Sequence, residues 1–188
     1  MNIANILTLI RLLLVPIFAV FFIQGNYLLA IVVFVLCGIT DFVDGFIARK
    51  YDMVTEFGKL MDPLADKVLQ ITALVLLTIY FQINIAIVIV FALKEAVMLT
   101  GSTFLYRKKV VVFSNWYGKV ATVVLFIAIF GQMFVQWYEK QPNPDKVLVG
   151  QMSYAANITI WAALGITLLA FVGYLYQFIM IVRGCKKI

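Results

Sequence analysis

The chain contains no histidine. That removes the side chain most often used as a general base near neutral pH and as a metal ligand, and leaves carboxylates to do such work. Charge of either sign is scarce. Only 13% of the 188 residues are charged, and nine of them are acidic. There are two cysteines, Cys37 inside an apolar run and Cys185 near the C-terminus, and this placement implies no disulfide framework. Long polar stretches are missing too, which leaves no room for a separate soluble domain. Residues 1–188 are therefore expected to form a single domain. What is abundant is apolar: 64% of residues are hydrophobic, against roughly 45–50% in ordinary globular domains. With a mean hydropathy of +1.04, the expected class is an all-α integral membrane bundle.

A hydrocarbon core of about 30 Å needs about 20 apolar residues per helix. On that basis six spans are predicted, at about 6–23, 28–46, 58–81, 85–106, 116–138 and 153–182. Short turns are expected at 25–26 and 82–84, a polar connector at 50–56, and a polar loop holding Pro142 and Pro144 at 139–146. Pro63 is expected in the first turn of the third helix, where proline is tolerated. The first run is expected to be a retained span rather than a signal peptide, because no positive charge precedes it and Arg11 interrupts it. Trp116, Tyr117, Trp137 and Tyr138 fall near span ends, where aromatic side chains anchor at the headgroup level.

The net charge is +6. The basic residues sit at the ends of apolar runs, so they read as orientation signals and headgroup contacts with membrane lipids, and no nucleic acid is expected. With the N-terminus in the cytoplasm, one side receives Arg49, Lys50, Lys59, Lys67, Arg107, Lys108, Lys109, Lys119, Arg183, Lys186 and Lys187. The other side receives Lys140 and Lys146, offset by Glu139 and Asp145. This asymmetry predicts a multi-pass protein of the cell membrane with both termini on the cytoplasmic side.

Four of the nine acids, Asp41, Asp44, Asp62 and Asp66, fall in two short runs, 41–49 and 58–66. On helices, residues three or four apart project from one face, so each pair shares a face at the cytoplasmic end of its span. Intramembrane carboxylates are costly and read as functional by default. Oxygen ligands without histidine or cysteine suit hard cations, Mg²⁺ or Mn²⁺, and two ions on shared carboxylates suit phosphoryl chemistry. The competing readings are a set of interfacial ion pairs with Arg49, Lys59 and Lys67, or a non-enzymatic metal-binding membrane protein.

Together the two runs also resemble the signature of the CDP-alcohol phosphotransferase family, Asp-x2-Asp-Gly-x2-Ala-Arg-x8-Gly-x3-Asp-x3-Asp. Asp41, Asp44, Gly45, Ala48, Arg49, Gly58, Asp62 and Asp66 occupy its fixed positions. The family's six-helix plan agrees with the count of spans. The resemblance implies transfer of a phosphatidyl group from CDP-diacylglycerol to an alcohol, with release of CMP. It implies that Asp41, Asp44 and Asp62 hold metal, and that Asp66 both holds metal and acts as the base on the acceptor hydroxyl. It further implies that Gly45, Ala48, Arg49 and Gly58 belong to the CDP-donor site, joined by Asn5 and Thr8 from the first span, and that the enzyme is a homodimer.

The acceptor is less constrained. The beginning of the chain and the run from Gly58 to Lys67 resemble family members that use sn-glycerol 3-phosphate. Lys94-Glu95 and Lys119-Val-Ala-Thr122 lack two cations usual in those members. Val97-Met-Leu, Phe104-Leu-Tyr-Arg107 and Lys119-Val-Ala-Thr122 resemble cardiolipin-forming members, whose acceptor is phosphatidylglycerol. Glycerol 3-phosphate is the first expectation. Lys94, Arg107 and Lys119 are the candidate acceptor-binding residues, with a mutual ion pair as the other reading of Lys94-Glu95.

Overall fold

The structure is a computed structural model. It describes residues 3–50, 56–107 and 116–182, with side chains at 8–41, 65–98, 100–101 and 118–181. Six helices account for these residues: α1 (Ile3–Ile23), α2 (Tyr27–Lys50), α3 (Glu56–Phe81), α4 (Ile85–Arg107), α5 (Trp116–Glu139) and α6 (Lys146–Val182). All six expected spans are present, and no strand occurs among the described residues.

The turns follow from local chemistry. At the end of α1, Gly25 has φ +75°. The Asn26 amide donates to the Phe21 carbonyl at 2.9 Å, and the Gly25 amide to Phe22 at 3.0 Å. This pair of bonds is the Schellman closure, which needs a residue in the left-handed region and hence favours glycine. The turn between α3 and α4 uses Asn84, whose side-chain oxygen accepts from the Ala86 amide at 2.9 Å and caps α4.

Two boundaries differ from expectation. Helix α6 begins at Lys146, seven residues before the predicted start at Ser153. The cause is Asp145, whose carboxylate accepts from the amides of Val147 (2.9 Å) and Leu148 (3.3 Å). Helix α3 begins at Glu56, so position 63 lies about two turns inside it and not in its first turn.

Helix α1 packs along both α2 and α3, and α5 pairs with α6. Contacts of α5 with α2 and α3, and of α4 with α3 and α6, join the two sets. The core is aromatic and aliphatic, with Phe18, Phe22, Phe34, Leu74, Leu77 and Ile129 fully buried. The outer surface is equally apolar, exposing Leu13, Ile17 and Val20 on α1, Val32, Leu36 and Ile39 on α2, and Leu169 and Val172 on α6. A surface of that kind suits lipid rather than water as the surrounding solvent. Among the described residues, Gly118–Glu139 and Lys146–Ile181 meet the length and hydropathy of a membrane span, and Thr8–Ile23 and Tyr27–Asp41 are shorter apolar helices.

The two ends of the bundle differ. At one, the α1–α2 turn meets the α5–α6 loop, where the Lys140 ammonium donates to the Gly25 carbonyl at 3.3 Å and lies 4.6 Å from the Tyr27 ring centroid. Tyr27, Phe22 and Phe81 stack edge-on beneath it. At the other end lie the C-terminal half of α2 and the starts of α3 and α5. Gly25→Ala is expected to lower the thermal midpoint in detergent by the equivalent of roughly 1–2 kcal/mol, because it forces a side chain into the left-handed region. Gly131→Ala, in the interior of α5 with nothing within 4 Å of the added carbon, is the matched control and should leave the midpoint unchanged or raise it.

Candidate active site

Helix α2 runs unbroken to Lys50 and α3 starts at Glu56, so all eight positions of the acidic motif lie on helices. Asp41 and Asp44 are one turn apart on α2, and Asp62 and Asp66 one turn apart on α3. The side chains of Asn5, Asp44, Gly45, Ala48, Arg49, Gly58, Asp62 and Arg107 lie outside the described residues.

Asp41 and Asp66 are described, and they line one cavity of about 380 Å³ between α2, α3 and α5. Gln70 and Thr122 add polar atoms to it, and Val35, Ile39, Val123, Phe126 and Ile127 add an apolar wall. The cavity is thus amphipathic, acidic on one side and greasy on the other. Gly38 admits the Phe126 ring, since a carbon added there would sit 2.5 Å from it. Phe126 in turn stacks on Phe34 at 4.3 Å between ring centroids, fixing α5 against α2 beside the acids.

Asp41 is held from behind. Arg11, on α1, is 1% exposed, and its Nη1 lies 2.8 Å from Asp41 Oδ1, while the Asp41 side chain is 45% exposed. A guanidinium is suited to this place, being always charged and less strongly hydrated than an ammonium. The pair orients Asp41 toward the cavity and ties α1 to α2. Thr8, one turn earlier on α1, is also buried.

Asp66 is held from its own helix, and Lys67 links it onward to α4. Gln70 Nε2 donates to both Asp66 oxygens, at 3.2 and 3.3 Å. Lys67 Nζ stands 3.6 Å from Asp66 Oδ2 and 3.4 Å from Glu95 Oε1. Glu95 also pairs with Lys94, as one of the two sequence readings expected, and both residues are buried. The Lys94 and Lys67 ammonium groups lie 5.6 and 5.7 Å from the Phe91 ring centroid, within cation–π range. Lys119 is exposed, near the start of α5.

A second cavity, of about 420 Å³, opens at the opposite end of the bundle. Gln82, Asn84, Gln132, Gln136, Ser153 and Asn157 line it, and among the described residues no ionisable side chain does. It lacks the charge that a cation or a diphosphate site needs. Among the described residues the first cavity offers two carboxylates and a threonine hydroxyl and no nitrogen or sulfur ligand, a donor chemistry that suits a hard divalent ion.

Arg11 was not among the candidates from sequence. The signal was present: Asn5, Thr8 and Arg11 recur every three residues, and Arg11 is the only charge in the first span. Gln70, one turn beyond Asp66, was missed as well.

The sequence profile of CDP-alcohol phosphatidyltransferase matches residues 1–169, and the chain belongs to that family. Its members generally depend on divalent metal ions. The chain is 33% identical over 141 residues to the CDP-diacylglycerol–glycerol-3-phosphate 3-phosphatidyltransferase of Aquifex aeolicus, covering 74% of this chain and 79% of that one. It is 32% identical over 175 residues to the Haemophilus influenzae protein of the same name, covering 86% and 89%. It is 33% identical over 192 residues to a probable phosphatidylglycerophosphate synthase of Mycobacterium tuberculosis, covering 99% and 86%.

A double-mutant cycle tests the α1–α2 tie. Arg11→Met and Asp41→Asn should each lower the thermal midpoint, and the double variant should lose less than their sum. A coupling of roughly 0.5–3 kcal/mol is expected for charges in direct contact.

Proposed function

We propose that the chain transfers the phosphatidyl group of CDP-diacylglycerol to sn-glycerol 3-phosphate, giving phosphatidylglycerophosphate and CMP. The observation that carries the reading is the amphipathic cavity holding two of the motif's aspartates, in a chain whose relatives bear this activity's name over most of their length. A carboxylate-rich end suits metal and diphosphate, and the apolar wall suits acyl chains. A non-enzymatic scaffold accounts for the helices but not for the eight fixed motif positions.

Asp41, Asp44, Asp62 and Asp66 are the metal ligands, and Asn5, Thr8, Gly45, Ala48, Arg49 and Gly58 form the CDP-donor site. Two Mg²⁺ or Mn²⁺ ions held there would neutralise the diphosphate and make CMP a better leaving group. Arg11 keeps Asp41 facing the cavity. Gln70 keeps the Asp66 carboxylate turned toward the acceptor. Asp66 takes the proton of the acceptor hydroxyl as its oxygen bonds to the lipid-side phosphorus, and the bond from that phosphorus to CMP breaks.

Lys94, Arg107 and Lys119 are the candidates for the acceptor's phosphate. Lys94 already neutralises Glu95, so Lys119, exposed near the start of α5, is the better placed of the two described cations. The acidic end faces the cytoplasm, where both termini and the soluble acceptor lie, and residues 1–188 act as one domain in a homodimer.

Purified protein should convert CDP-diacylglycerol and labelled glycerol 3-phosphate into labelled phosphatidylglycerophosphate, and excess EDTA should abolish turnover until Mg²⁺ or Mn²⁺ is restored. Product with phosphatidylglycerol and none with glycerol 3-phosphate would overturn the acceptor assignment in favour of cardiolipin synthesis. Asp66→Asn should reduce CMP release by at least about 10²-fold, the contribution typical of a general base.

A further inference from the structure

Asp66 and Lys67 are neighbours in sequence on α3. Adjacent residues on a helix diverge and do not face one another. Their approach, 3.6 Å from Lys67 Nζ to Asp66 Oδ2, is therefore not a property of α3 alone. Two groups draw the lysine back. Gln70 Oε1 accepts from Lys67 Nζ at 3.4 Å, and Glu95, on α4, lies 3.4 Å from the same ammonium. Gln70 thereby has its amide oriented, oxygen toward Lys67 and nitrogen toward Asp66.

Glu95 is 5% exposed and Lys94 6%. A carboxylate buried this deeply persists only when it is paired. Its Oε1 meets both Lys94 and Lys67, so α4 supplies a charge pair that is one carboxylate short of satisfying both cations. Asp66 is the second carboxylate. The four groups form an alternating chain, Lys94–Glu95–Lys67–Asp66, with no net charge, running from the interior of α4 to the acidic cavity.

We propose that Glu95 is a positioning residue: it holds the Lys67 ammonium against one oxygen of Asp66 and so fixes the direction in which that carboxylate meets the acceptor hydroxyl. The proposal rests on the reading of Asp66 as the base. Glu95 is not among the residues lining the cavity, and its action passes through Lys67. It follows that Glu95 governs turnover more than donor binding. A misplaced base affects the step in which the proton moves, and errors of about 1 Å there can cost roughly 100-fold.

The test uses the full-length protein in detergent or nanodiscs, with steady-state kinetics in CDP-diacylglycerol and in glycerol 3-phosphate. Glu95→Gln removes the charge and leaves the buried Lys94 ammonium without its carboxylate, so it can fail by unfolding. Glu95→Gln combined with Lys94→Met restores neutrality at similar volume, and it is read against Lys94→Met alone because Lys94 is itself a candidate for the acceptor's phosphate. In the double variant kcat is expected to fall at least about tenfold, with KM for CDP-diacylglycerol within about twofold of wild type and the thermal midpoint close to it. Glu95→Asp, which keeps the charge at shorter reach, should recover part of kcat. A folded double variant with wild-type kcat, or an effect confined to KM for the donor, overturns the proposal. The parallel Asp66→Asn protein separates the two claims. If Asp66→Asn is inactive while the double variant is wild type, the positioning role alone fails. If Asp66→Asn retains wild-type turnover, the reading of Asp66 as base fails first.

Discussion

Charge inside a low-dielectric bundle must be answered by charge, and that constraint organises this molecule. Isolated ions are far too costly to leave in an apolar interior, and Arg11, Asp41, Asp66, Lys67, Lys94 and Glu95 each have a charged neighbour. Arg11 answers Asp41 across the α1–α2 interface. Lys67 answers Asp66 and Glu95 across α3 and α4, and Lys94 completes that chain. These pairs join helices that van der Waals packing alone would leave free to slide. They also hold two carboxylates at fixed places on a shared cavity wall. Stability and the geometry of the site thus depend on the same contacts.

The apolar residues complete the arrangement. Gly38 lets Phe126 close against Phe34, which sets α5 beside the acids and gives the cavity its hydrophobic wall. The far end is built differently, with an aromatic cluster under Lys140 and a cavity of neutral amides. The polarity of the bundle is therefore chemical as well as topological. Among the described residues, one end lines its cavity with paired carboxylates and the other with neutral side chains.

Much of this was legible in the sequence. Six apolar runs near membrane-spanning length gave the six helices, because in such a chain the spacing of polar breaks is dictated by bilayer thickness. The eight motif positions carried the resemblance to the family, to which the chain belongs. The start of α6 was hidden, since residues between 146 and 152 are of mixed polarity and only the Asp145 cap reveals that the helix has begun. Arg11 looked like an interruption of the first span. Its meaning depends on α1 lying against α2, a tertiary fact with no local signature. The reach of Glu95 to Lys67 was hidden for the same reason, whereas its pair with Lys94, a sequence neighbour, was foreseeable.

The central claim is that the acidic ends of α2 and α3 hold divalent cations for phosphoryl transfer. Anomalous diffraction from crystals of the protein grown with Mn²⁺ tests it most directly. The expected result is manganese density in the cavity between α2, α3 and α5, within bonding distance of Asp66 and adjacent to Asp41. Crystals saturated with Mn²⁺ that show no density there, or show it only in the amide-lined cavity at the opposite end, would contradict the assignment.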